Sequence, residues 1–368
     1  MPRIHRYRFL LLANLLVICN AAMNATAVDD SWWLVSPELL KHARLEIVWQ
    51  TDLLWEKGES LKDLRILGNR VYATSNRNYI ISLDRGKGSV IFERALAPVG
   101  FRIIGLDLHN NELFSTFGNE LVQINPEFGT NRSTTPLEFS VVCPAARNSS
   151  YFYLSGTDNR IHTLRAEDKV QVFEVAADND STITSIIADE DFVIFGTEGG
   201  NVVSITPDGP RRLWQFDAAG GIAGPIVRDK DSLFFASKDT NVYRVDIVDV
   251  QDKEFIWKHQ TEAVLDRQPR VGEKVVYQHV LYKGLEAINK ENGKLVWEVP
   301  GGIDLLMEAA EKAYVIAKGR LVVMDNKKAK RLYSVNFAGV SIYTTNLADS
   351  KIYIANKAGR IACLKPVE

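Results

Sequence analysis

The sequence predicts an all-β fold, an eight-bladed β-propeller of four-stranded antiparallel blades closed by pairing of its N- and C-terminal segments. Three observations predict it. A unit of two strand-like runs recurs eight times at a spacing of about forty residues, an aromatic run follows nearly every unit, and the strand missing after the last unit stands before the first.

The units superimpose when written in register: RVYATSNRNYIISLD from Arg70, ELFSTFGNELVQIN from Glu112, YFYLSGTDNRIHTL from Tyr151, FVIFGTEGGNVVSI from Phe192, SLFFASKDTNVYRVD from Ser232, KVVYQHVLYKGLEAIN from Lys274, AYVIAKGRLVVMD from Ala313 and KIYIANKAGRIACL from Lys351. Taking Val71, Leu113, Phe152, Val193, Leu233, Val275, Tyr314 and Ile352 as equivalent, successive spacings are 42, 39, 41, 40, 42, 39 and 38 residues. Within each unit, two runs rich in Val, Ile, Tyr and Phe flank a few Gly, Asn, Asp or Lys residues. Such residues supply the positive φ of a tight turn, so each unit reads as a β-hairpin.

A third run follows with an aromatic residue: Phe92, Phe173, Trp214, Trp257, Trp297 or Tyr333. The second unit is weak, with only Phe139 nearby. A fourth apolar run, such as that from Ile222 or Ser341, leads into the next hairpin and completes a four-stranded blade. A small twisted sheet cannot bury both faces alone, so these aromatics are read as wedges between neighbouring blades. The eighth hairpin runs into the C-terminus without a third run. RLEIVWQTD from Arg44 carries Trp49 in the right context, so the N-terminal strand is expected to complete the last blade and remove two open sheet edges.

Ahead of the propeller (residues 45–368), Arg3, Arg6 and Arg8 precede an apolar run from Phe9 to Ile18, and Ala25-Thr26-Ala27 offers a cleavage pattern. Residues 1–27 therefore read as a signal peptide and the mature chain as exported, periplasmic or otherwise extracytoplasmic and at most peripheral to a membrane. Ile18 before Cys19 disfavours lipidation. Residues 28–44 form an extension in which Ser36-Pro37 starts a short helix, with Leu39, Leu40 and Ala43 on one side. Trp32 and Trp33 either cover the junction between helix and ring or present an aromatic anchor to a partner.

Composition and motifs exclude several chemistries. The formal charge is −2, and −5 once the signal arginines are removed, so nothing draws the chain to nucleic acid. Cys143 and Cys363, far apart, are expected as buried small hydrophobes with no disulfide. His42, His109, His162, His259 and His279 show no metal-ligand spacing. DNDST from Asp178 has Ile183 where a calcium loop needs glycine and reads as a solvated turn. AAGGIAG from Ala218 lacks the Gly-Lys-Ser/Thr of a phosphate loop, and Asp189-Glu190-Asp191 falls at a strand turn. No catalytic, cofactor-binding or metal residue is assigned.

AINKENGKLVWEV, from Ala287 to Val299, resembles the repeat of the PQQ-like (quinoprotein-type) propellers, whose pattern runs Ala-x-Asp-x-x-Thr-Gly-Lys-x-x-Trp. Ala287, Asn289, Asn292, Gly293, Lys294 and Trp297 match or nearly match it, and SLDRGKGSVIF from Ser82 is a looser copy. Within that superfamily the chain is similar to the BamB-like scaffolds of outer-membrane protein assembly. The resemblance implies eight blades and a monomer that binds a protein partner, an envelope or outer-membrane assembly component, without catalysis. The superfamily's enzymes sandwich a quinone between a tryptophan and a disulfide of adjacent cysteines, which this sequence lacks. A quinone-dependent dehydrogenase and a small-molecule or sugar binder using the central channel are the alternatives.

Overall fold

The computed structural model describes residues 32–367; the signal-peptide assignment to residues 1–27 lies outside them. Two compact units divide between Trp32 and Trp33. In the second, eight four-stranded antiparallel sheets form the blades of a propeller. Blades 1 to 7 span residues 61–95, 103–136, 146–176, 183–217, 227–260, 270–300 and 302–336, each with its strands in chain order. Blade 8 combines Ile342–Thr344, Ile352–Ala355 and Arg360–Pro366 with Leu45–Asp52 as its fourth strand. The expected closure is present: Trp49 lies opposite Cys363, and Val367 N–H donates to Arg44 O at 2.8 Å, joining the two ends.

Strand-pairing register identifies the wedge position. Phe92, Phe173, Trp214, Trp257, Trp297, Tyr333 and Trp49 all pair with the corresponding residue of their blade's third strand. In blade 2 that position belongs to Ser133, whose fourth strand Asn131–Pro136 carries no aromatic. Phe139 lies beyond the strand and stacks on His162 of blade 3, ring centroids 3.7 Å apart. Register also moves two of the equivalent positions by one residue: Val276 and Ala313, not Val275 and Tyr314, pair as the other six do.

Trp49, Phe92, Trp257 and Trp297 pack against the turn between the third and fourth strands of the following blade. A Cβ on Gly88 or Gly129 would overlap the ring of Trp49 or Phe92, and one on Gly293 would lie 2.8 Å from Trp257. These glycines have φ of 71°, 69° and 70°, so both backbone conformation and the approaching ring demand glycine. The indole N–H groups are satisfied in the same turns: Trp49 donates to Arg85 O at 3.0 Å, Trp257 to Lys290 O at 2.9 Å and Trp297 to Asn326 Oδ1 at 3.0 Å. Fully buried second-strand tyrosines add a second cross-blade tie. Tyr153 donates to Pro207 O at 2.7 Å, while Tyr277 and Tyr353 accept from Asn326 and Arg85. Burial of each wedge contributes about 1.5–3 kcal/mol.

The helix Pro37–His42 starts as expected, with the Ser36 hydroxyl accepting from Leu39 N–H, and buries Leu40 and Ala43 in a cluster with residues of blades 7 and 8. Arg44, also in left-handed conformation, lies over the Tyr333 ring of blade 7. The seam therefore fills the place where blade 8 has no third-to-fourth turn.

Gly293→Ala and Gly319→Ala place a Cβ on nearly the same left-handed backbone, but only the first meets an aromatic ring; the nearest atom to the second is 3.9 Å away. Urea unfolding should show Gly293→Ala the more destabilising by about 2 kcal/mol. Deleting residues 33–50 removes Trp49 and exposes the Arg360–Pro366 edge. The truncated chain should aggregate and lose its cooperative melt, as read by light scattering and calorimetry.

Candidate functional site: the loop face of the propeller

The connections between blades and the turns between second and third strands lie on one face, where side chains of the turns hold the connections. In blade 1, Asn78 Nδ2 donates to Pro98 O and Phe101 O at 2.7 and 2.8 Å, and Arg77 Nη2 donates to Lys57 O at 2.9 Å. The two connections flanking blade 1 are thus fastened to one turn. They present Leu54, Val99 and Phe101, which are 66%, 71% and 49% exposed.

Blade 6 carries a second feature. Tyr282, at the tip of the turn between Val280 and Gly284, is fully exposed although its φ is 63°. A bulky residue there costs roughly 1–2 kcal/mol, and packing provides no return. Beside it Lys283 Nζ contacts Glu286 at 2.9 Å, Glu262 at 3.2 Å and Glu298 at 3.3 Å. Glu262 belongs to the connection that also exposes Val264. Glu286 is buried with its carboxylate 2.9 Å from His259 Nε2, and His259 Nδ1 lies 3.0 Å from Gly293 O. Burial alone raises the Glu286 carboxyl, but hydrogen bonds and charge from His259 and Lys283 outweigh it and hold the group below the usual carboxylate range. Hydrogen bonding to Glu286 leads the causes that push the Lys283 ammonium well above its ordinary value.

The first strands place charged groups around the centre in internal pairs. Arg270 grips Asp304 through two bonds of 3.0 and 2.8 Å, and Arg65 meets Asp63 at 3.1 Å. Burial, aided by the charge of Asp304, raises the Tyr343 hydroxyl, and burial raises Asp107. A cavity of about 70 Å³ lined by Arg65, Gly105, Asp107 and Pro144 has room for water rather than a sugar or quinone. An open cleft of about 560 Å³ lies among the first-to-second turns of blades 5 to 8, bordered by Asp229, Glu273, Lys290, Glu308 and Glu311.

A family model described as outer membrane protein assembly factor BamB matches residues 40–258 and 198–364. The chain belongs to this family. Among solved structures, BamB from Moraxella catarrhalis is similar over 87% of this chain and 97% of that one, with 13% identity and a TM-score of 0.68. The computationally designed Ika8 protein is similar over 83% and 96%, with 13% identity and a TM-score of 0.65. The β-propeller domain of Cps50 (Swd1) from Myceliophteria thermophila is similar over 87% and 99%, with 12% identity and a TM-score of 0.59. Comparison with curated proteins yields no match.

Residues of this BamB-family propeller do not fit the quinone sandwich of PQQ-like enzymes. Cys143 precedes the first strand of blade 3 and Cys363 lies inside blade 8; both are buried, and burial pushes each thiol up to about 11. Among the described residues no three His, Cys, Asp or Glu side chains gather as a metal site. His109, His162, His259 and His279 sit in four different blades, and His42 ends the helix. Asp189 pairs with Arg228 and Glu190 accepts from Ser149, so the acidic triplet ties blades 3, 4 and 5. DNDST forms a 3-10 turn with Asp178 bound to Arg212, and AAGGIAG joins blades 4 and 5 through backbone-crowded Gly220 and Gly221.

Trp32 is exposed and Trp33 half-buried. Sequence reasoning passed over Leu54, Val99, Phe101 and Tyr282. The available signal was large apolar residues within Gly-, Pro- and charge-rich connections, TDLLWEKG and APVGFR, and a tyrosine beside the Lys-Gly of a turn.

The pH dependence of the blade 5–6 junction follows from Glu286. Because its folded pKa is depressed, its contribution is complete above the ordinary carboxylate pKa and lost as pH falls through the folded value. Glu286→Gln should be about 3 kcal/mol less stable at neutral pH, yet lose less stability than the parent on acidification from about pH 5 to about pH 3. Urea midpoints measured across that range check both.

Proposed function

We propose that the protein is a non-catalytic, extracytoplasmic scaffold that holds a protein partner belonging to the machinery of envelope or outer-membrane protein assembly. One observation carries the reading: Tyr282 is kept fully exposed, on strained backbone, at a turn anchored by the ion pair of Lys283 with buried Glu286. An outlier that provides no packing points to recognition, and a rigid exposed aromatic is the kind of side chain that dominates protein interfaces. Membership of the BamB family supports the assembly role.

The same reading assigns residues 1–27 to a cleaved export signal, residues 28–44 to an extension, and residues 45–368 to a single monomeric propeller in the periplasm. Trp32 and Trp33 are candidate partner contacts, Trp32 by its exposure.

In the native cell, removing the protein should lower the amount of folded outer-membrane β-barrels, and a photoreactive residue at Tyr282 should cross-link to an assembly component. Tyr282→Ala should keep the parent's melting temperature and weaken binding to that component by about 2 kcal/mol, roughly thirtyfold. Unchanged outer-membrane proteins with no cross-linked protein would reject the scaffold.

A further inference from the structure

Blade 1 has a surface whose charge departs from that of the protein carrying it. Leu54, Val99 and Phe101 form the apolar centre described above, and Phe101 is held edge-on against Phe117 with centroids 6.0 Å apart. Around them stand exposed Lys57, Lys62, Arg102 and Lys357. Lys57 O accepts from Arg77, Phe101 O, next to Arg102, accepts from Asn78, and Leu61 N–H, next to Lys62, donates to Lys357 O at 2.9 Å. None of these four cations has an ion pair among the described residues, whereas the nearby acids are engaged. Glu56 meets Arg77 at 3.4 Å, Asp52 meets Arg360 at 2.7 Å, and Glu59 is buried with Ser75 donating to it at 2.7 Å. The whole chain carries a formal charge of −2, so this basic rim is a local reversal.

We propose that the loop face of blade 1 docks an acidic, apolar-anchored segment of the protein partner. The inference rests on the scaffold reading and deepens it by naming a surface and the chemistry of what it takes. Apolar side chains on pinned backbone provide an exposed apolar centre that needs little ordering on binding, and the cationic rim steers carboxylates toward it. A shaped protein segment suits this fixed, small patch better than the fluid interior of a bilayer. A second copy of the chain is an alternative occupant that the same experiment reads.

The test places a photoreactive amino acid at Val99 in the full chain, expressed in its native cells, and maps the captured peptide by mass spectrometry. A control chain carries the same group at Tyr282. The expected adduct is a partner segment with carboxylates flanking a large apolar residue. Lys57→Glu with Lys357→Glu should reduce it about tenfold, while Lys327→Glu with Lys328→Glu, in a third-to-fourth turn of blade 7, should leave it intact; matching melting temperatures keep the comparison one of binding. An adduct that is lipid, another copy of this chain, or a segment without carboxylates overturns the proposal, as does indifference to the rim reversal. Capture from Tyr282 but not Val99 defeats this surface and leaves the scaffold standing; capture from neither defeats both. Purified protein that sediments with phosphatidylglycerol vesicles through Phe101 would likewise overturn it in favour of a membrane.

Discussion

The contact on which the structure depends is the flat face of an outer-strand aromatic pressed on the backbone of the next blade's turn. It has two requirements, a ring at one register position and a turn with no Cβ in its way, and both are met at Trp49–Gly88, Phe92–Gly129 and Trp257–Gly293. A four-stranded sheet has two apolar faces and no partner of its own, so its stability is a property of the interface with its neighbours. The contact is directional, each blade reaching into the next. A chain of such contacts has a first blade with an empty turn and a last blade with nothing to enter. Only a ring in which Trp49, carried on the N-terminal strand but paired into blade 8, docks into blade 1 leaves neither.

Where the pair is absent the structure substitutes. Ser133 replaces the wedge in blade 2. The following turn is occupied instead by Lys169, in left-handed conformation and near the Phe152 ring, with Arg147 over the same ring at 4.5 Å. Phe139 meets blade 3 from the loop side through His162. The interface between blades 2 and 3 is held instead by Phe114 edge-on against Phe152, ring centroids 5.4 Å apart, and by the Phe139–His162 stack, where other blades use an aromatic wedge.

The wedges and their turns engage the third-to-fourth-strand side of each blade, and recognition is assigned to the other side. On the loop face, polar side chains of the hairpin turns hold the connections by their backbone, Asn78 and Arg77 in blade 1, with Lys283 reaching three carboxylates in blade 6. Apolar side chains on such connections stay exposed without being loose. This division lets a repeat architecture keep its stabilising residues periodic while its contact residues vary from blade to blade.

The periodic part was legible because each of its signals is local: a hairpin turn, an aromatic some residues later, and a strand at the start matching the one absent at the end. Legibility failed where neighbouring residues are chemically alike. Val275 and Val276, or Ala313 and Tyr314, are both apolar, and only pairing with the third strand shows which one faces which blade. Blade 2 offered only Phe139 near the wedge place, because sequence records proximity along the chain and not register across strands. By itself, then, the sequence determined the number of blades, their closure and the family, since these follow from short-range pattern repeated many times. The tertiary structure decided which side chains remain outside the packing, Tyr282, Val99 and the cations around blade 1 among them, because exposure depends on which distant loops come to rest beside them.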